Sequence, residues 1–77
     1  MKINERIRAI RESKNLTQTE VARRINMSVQ TYNGYELGRR RITTDTLEKI
    51  AQALNEPIAN FFENKIYETK KDKKQVI

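Results

Sequence analysis

Apolar residues recur along this chain at the three- and four-residue spacing of helices, in five short blocks separated by polar joints. Ile3, Ile7 and Ile10 stand at i, i+4 and i+7 and give a first helix one apolar face, with Arg6, Arg8, Glu12 and Lys14 on its other sides. Asn15 suits the left-handed end of that helix, and Leu16 packs inward. Thr17 with Glu20 has the spacing of a capping box. Val21, Ala22 and Ile25 then form the stripe of a second helix, which Asn26 ends. Ser28 caps a third helix running to about Glu36, with Tyr32 and Tyr35 facing the core and Val29, Gln30, Asn33 and Leu37 on the opposite face. Gly38 opens a loop to Ile42, and Thr43 or Thr44 caps a fourth helix with the stripe Leu47, Ile50, Ala51, Leu54, ended by Asn55. Pro57 is placed to start a fifth helix whose apolar face holds Ile58, Phe61, Phe62 and Ile66. No stretch of any length alternates as a strand. The pattern predicts an all-α fold: a compact five-helix domain over residues 1–67, then a basic, solvated tail over 68–77.

The stretch from Thr17 to Gly38 organises the rest. Two short helices joined by a turn of a few residues, with a small residue (Ala22) to allow a steep, close crossing, describe a helix-turn-helix. The run Gln18, Ala22, Asn26-Met27-Ser28, Thr31, Tyr35-Glu36, Gly38 resembles the lambda-repressor and Cro-like helix-turn-helix family, also called the xenobiotic-response-element family. Thr46-Leu47, Ile50-Ala51 and Ala53-Leu54 resemble that family's fourth helix, so the likeness extends over about residues 3 to 63. Asn26 stands where the family usually has a turn glycine. Gly34 lies inside the third helix, where it costs about 1 kcal/mol relative to alanine and removes a side chain that relatives can use for readout. Leu37 replaces a residue that is commonly polar.

Composition narrows the chemistry. The chain has 77 residues, enough for one small domain with a limited core. It has no cysteine and no histidine, so disulfides, thiolate metal sites, the commonest general base and the usual zinc ligand are all missing. With no paired carboxylates or phosphate loop either, the expectation is a protein that is not an enzyme and needs no cofactor, metal or small-molecule substrate. No apolar run suggests a signal peptide or a membrane span, which points to the cytoplasm and, if DNA is the partner, to the nucleoid. The net charge of +6 suits a polyanion. Half of it comes from residues 70–74, where Lys70, Lys71, Lys73 and Lys74 face only Asp72.

The resemblance implies double-stranded DNA as partner, with the early exposed positions of the third helix reading bases. Val29, Gln30 and Asn33 occupy those positions; Gln and Asn can bond adenine at N6 and N7, and Val can pack on a thymine methyl. Gln18 and Ser28, at helix N-termini, are candidates for phosphate contacts, and in the family the glutamine at the position of Gln18 bonds a phosphate. Arg39, Arg40 and Arg41 form the one dense charge cluster and would grip the backbone beside the groove. The family likeness also implies a structural salt bridge between Arg11 and Glu36.

Phe61 and Phe62 point about 100° apart on a helix, so one ring can fill the core while the other, with Ile58 and Ile66, forms a self-complementary dimer face; the alternative is that both rings close the core. The expected function is a sequence-specific transcriptional regulator, foremost a repressor acting as a homodimer on a palindromic operator. The alternative is an antitoxin-like protein-interaction module whose helix-turn-helix serves autoregulation. Regulation is expected through concentration, proteolysis or a protein partner.

Overall fold

Four α-helices and one final 3-10 turn follow one another: α1 (Ile3–Ser13), α2 (Gln18–Arg24), α3 (Val29–Leu37), α4 (Thr44–Leu54) and the turn Ile58–Phe61. The structure, a computed structural model, describes residues 2–62. Ile66, the domain boundary expected after residue 67 and the tail 68–77 lie outside the described residues.

Local chemistry sets where each helix begins. The Thr17 hydroxyl accepts from the Glu20 N–H at 3.0 Å, and the Glu20 carboxylate accepts from the Thr17 N–H at 2.8 Å, which closes the capping box of α2. Ser28 and Thr43 each accept from the N–H three residues on, at 3.2 Å, and so start α3 and α4. The joints share one device. Asn15, Asn26 and Asn55 adopt φ of 59°, 58° and 54°, and Gly38 adopts 81°, so the chain turns through the left-handed region after every helix.

The core gathers Ile7 from α1, Val21 and Ala22 from α2, Tyr32 from α3, Leu47, Ile50, Ala51, Ala53 and Leu54 from α4, and Phe61 from the final turn. Long polar side chains tie the elements together across this core. Asn4 donates to the Glu36 carbonyl at 3.1 Å, Arg24 to the Ala53 carbonyl at 2.7 Å and Arg6 to the Asn60 carbonyl at 2.9 Å. Lys14 pairs with Glu56 at 3.1 Å.

Two expectations need correction. The fifth helix is a single 3-10 turn among the described residues, closed by Asn60 N–H to the Pro57 carbonyl and Phe62 N–H to the Ala59 carbonyl, both at 3.0 Å. At three residues per turn Ile58 and Phe61 eclipse each other, so both reach the core from one short segment. Phe61 is buried in the protomer's own core, which removes it from the expected dimer face, while Phe62 is 51% exposed. The second correction concerns Val29, expected opposite the core: it is partly buried and packs against it.

Candidate nucleic-acid interface

Glu36 is the only buried charged residue among those described, and it fixes the orientation of α3. Its carboxylate accepts from Arg11 Nε at 2.6 Å and Arg11 Nη2 at 3.1 Å, from Gln18 Nε2 at 2.9 Å and from the Tyr32 hydroxyl. Arg11 also donates through Nη1 to the Leu16 carbonyl at 2.7 Å, so one guanidinium clamps α1, the α1–α2 joint and α3. Burial pushes the Glu36 carboxyl up, but the hydrogen bonds from Arg11, Tyr32 and Gln18 outweigh it and hold its pKa below the usual carboxylate range. Burial, then the bond to Glu36, raises the Tyr32 phenol, which stays a neutral donor. The hydrogen bond to Glu36 likewise raises Arg11.

The same network reaches the outward face. A carboxylate only accepts, so the Gln18 end facing Glu36 must be its NH2 group. That group also donates to Asn33 Oδ1 at 2.9 Å. Both Gln18 hydrogens are therefore engaged inside the protein. Gln18, of which a phosphate contact is expected, thereby links Glu36 to Asn33. The Ser28 hydroxyl accepts from the Thr31 N–H and lies 3.0 Å from Thr31 Oγ1, at the N-terminus of α3.

Of the three expected base readers, Gln30 is exposed and Asn33 is partly exposed, its Oδ1 bonded to Gln18. Val29 shows only part of its side chain. Asn33 Oδ1 accepts one hydrogen bond from Gln18, and an amide oxygen carries two lone pairs. Arg39, Arg40 and Arg41 are all exposed at the end of α3 and carry no ion pair among the described residues. Two further basic residues are engaged in ion pairs, Arg8 of α1 with Glu12 and Lys14, just after α1, with Glu56.

One contact was not foreseen. A Cβ built on Gly34 would lie 3.2 Å from both Arg40 Cγ and Cδ and 3.4 Å from Nε, its three nearest atoms. Glycine inside α3 thus makes room for an arginine stem. The mid-helix glycine was the sequence signal; its partner six residues later in a loop was not legible.

A short helix pinned by a buried carboxylate, its outward face polar and its end flanked by three exposed arginines, defines a helix-turn-helix domain, and such domains of the xenobiotic-response-element type are the DNA-binding parts of transcription regulators. This chain belongs to that helix-turn-helix family, whose model matches residues 7–61. It is 43% identical over 60 residues to an uncharacterised transcriptional regulator in the ATPase CF(0) region of Rhodospirillum rubrum, a match that covers 78% of this chain and 56% of the relative. The chain thus spans little more than half the length of that curated relative. Among solved structures, the restriction-modification controller protein C.AhdI of Aeromonas hydrophila superposes with a TM-score of 0.74 at 27% identity, covering 78% of this chain and 91% of that one. The clp gene regulator ClgR of C. glutamicum shares the fold, with a TM-score of 0.75 at 24% identity over 77% of each chain.

Proposed function

We propose that this chain is a sequence-specific DNA-binding transcriptional regulator, acting as a homodimeric repressor on a palindromic operator. The observation that carries the reading is the outward face of α3. Gln30 and Asn33 project from a helix locked by the Glu36 cluster, and a rigid platform loses little entropy when its side chains meet base edges. Gln30 and Asn33 read bases, with Val29 adding apolar contact, while Arg39 and Arg41 hold the phosphate backbone. The names of the R. rubrum relative and of C.AhdI point the same way. Repression is steric: a dimer seated over a promoter blocks polymerase.

A dimer places two α3 helices in successive major grooves, about 34 Å apart. Phe62 and Leu37, the two large apolar side chains left exposed among the described residues, supply candidate contact surface, with Ile58 at its edge and Ile66 beyond the described residues.

The test is selection of duplexes from a random library at about 150 mM salt, where long-range attraction between exposed charges is screened. Enrichment of an inverted repeat is expected. Binding that is flat across sequences and vanishes as salt rises would overturn the reading and turn attention to a protein partner.

A further inference from the structure

Gly34 is buried although it sits on the outward side of α3. It lies two positions from both Tyr32 and Glu36, the residues that face the core, and hence about 200° round the helix from each. A glycine so placed is normally open to solvent. What lies over it is Arg40: the Cγ, Cδ and Nε atoms of that side chain are the nearest to where a Cβ would be. The Arg40 backbone is held at the same point, since the N–H groups of Arg39 and Arg40 donate to the Gly34 carbonyl at 2.9 and 3.3 Å. Arg40 remains exposed, and its side chain has no ion pair among the described residues.

We propose that Arg40, seated on Gly34, is a base-reading residue that recognises a guanine in the major groove next to the base read by Gln30. The inference rests on the DNA-binding reading above and deepens it. Gln30 and Gly34 are four residues apart and share one face of α3, so the seat places the arginine stem one turn along the same reading face. The helix has no side chain of its own there, and the loop supplies one. An arginine fork matches the O6 and N7 of guanine bidentately, the commonest specific contact in the major groove. A stem already laid along the helix has fewer rotamers to lose on binding than a free loop arginine. Neither Arg39 nor Arg41 supplies any of the three atoms nearest the Gly34 Cβ position, and both keep the backbone role, so the three arginines divide by function.

The experiment compares library selections by the full chain, by Arg40→Ala and by Gly34→Leu, with thermal melts of all three. Wild type should enrich a guanine at one position in each half-site. Arg40→Ala should lose about tenfold in preference for that base alone, leaving the Gln30 position intact. Gly34→Leu should still melt cooperatively near wild type, since the helix propensity of leucine offsets the displacement of the flexible Arg40 stem, yet lose the same guanine preference by filling the seat while Arg40 is still present. A uniform loss of affinity in Arg40→Ala, with base preferences kept and the salt slope reduced by about one, would make Arg40 a phosphate contact and overturn the proposal. If wild type itself enriches no sequence, the DNA-binding reading fails first and its base reader with it. If wild type enriches a site and both variants reproduce it, only the Arg40 assignment falls.

Discussion

Glu36 concentrates the stability of this small domain in one side chain. Four hydrogen bonds converge on a carboxylate whose side chain is 1% exposed, and the opposing Arg11 side chain is 11% exposed. Removing one partner of a buried pair leaves the other charge uncompensated and costs about 3–5 kcal/mol. Glu36→Ala should therefore show a lowered midpoint in urea and a parallel loss of DNA affinity; an unchanged midpoint would contradict the clamp. Tyr32→Phe, which removes one donor and keeps the ring, should cost less, about 1–2 kcal/mol. The pH dependence follows in sign. Glu36 has a folded pKa below its unfolded value, so the unfolded chain takes up protons first as pH falls. The contribution is fully present above the unfolded value of about 4.3 and is lost as pH drops through the folded one. Urea midpoints should hold from pH 7 to about 5 and fall below that; Glu36→Gln, already weaker, should show a flatter profile. Glu20 and Glu56 shift the same way, through hydrogen bonds from Thr17 and from Asn60 and Lys14, so a residual slope remains. The Arg11–Glu36 pairing was legible only by family likeness, because 25 residues of chain separate the two and no local period links them. That Gln18 and Tyr32 complete the cluster depends on how α2 and α3 cross, which spacing along one helix does not encode.

At the level of elements, the joints carry much of the specification. Three asparagines and one glycine hold the left-handed turns, and Asn26 does so within the helix-turn-helix itself, at φ 58°. Asn26→Gly should keep the turn and be close to neutral in a thermal melt. Asn26→Val should destabilise by about 1–2 kcal/mol, because a β-branched residue resists that conformation. Thr17→Ala should cost about 1 kcal/mol by deleting the cap of α2. All of these joints were legible in the sequence, since caps and turn residues act over three or four positions. The last element was not. Pro57, Ile58, Phe61 and Phe62 fit either an α-helix or a 3-10 turn by residue type. What decides is that Ile58 and Phe61 both seat against the core, a property of the finished packing. Val29 was misplaced for the same reason: its position on a helical wheel borders the core face, and the neighbouring helices decide on which side it falls.

For the whole molecule, the open matters are assembly and charge. Leu37 at 49% and Phe62 at 51% exposure leave apolar surface uncovered on one protomer. Phe62→Glu should give a monomer in analytical ultracentrifugation while the melt of the fold stays near wild type, because the ring contributes little to the core. A melt that collapses with the mass unchanged would place Phe62 in the fold rather than in a dimer face. The all-helical class and the position of the helix-turn-helix were visible in the amino-acid sequence. The contacts of Gln18 with Asn33 and of Arg40 with Gly34 were not, because each depends on a partner in another element. Whether α3 reads sequence is tested most directly by running the library selection in parallel with wild type and with Gln30→Ala, an exposed position whose loss should leave the melt unchanged. The expected result is an inverted repeat from wild type that loses its preference at one base pair per half-site in the variant, by about fivefold or more. Identical enriched sequences from the two proteins would contradict a reading helix at α3.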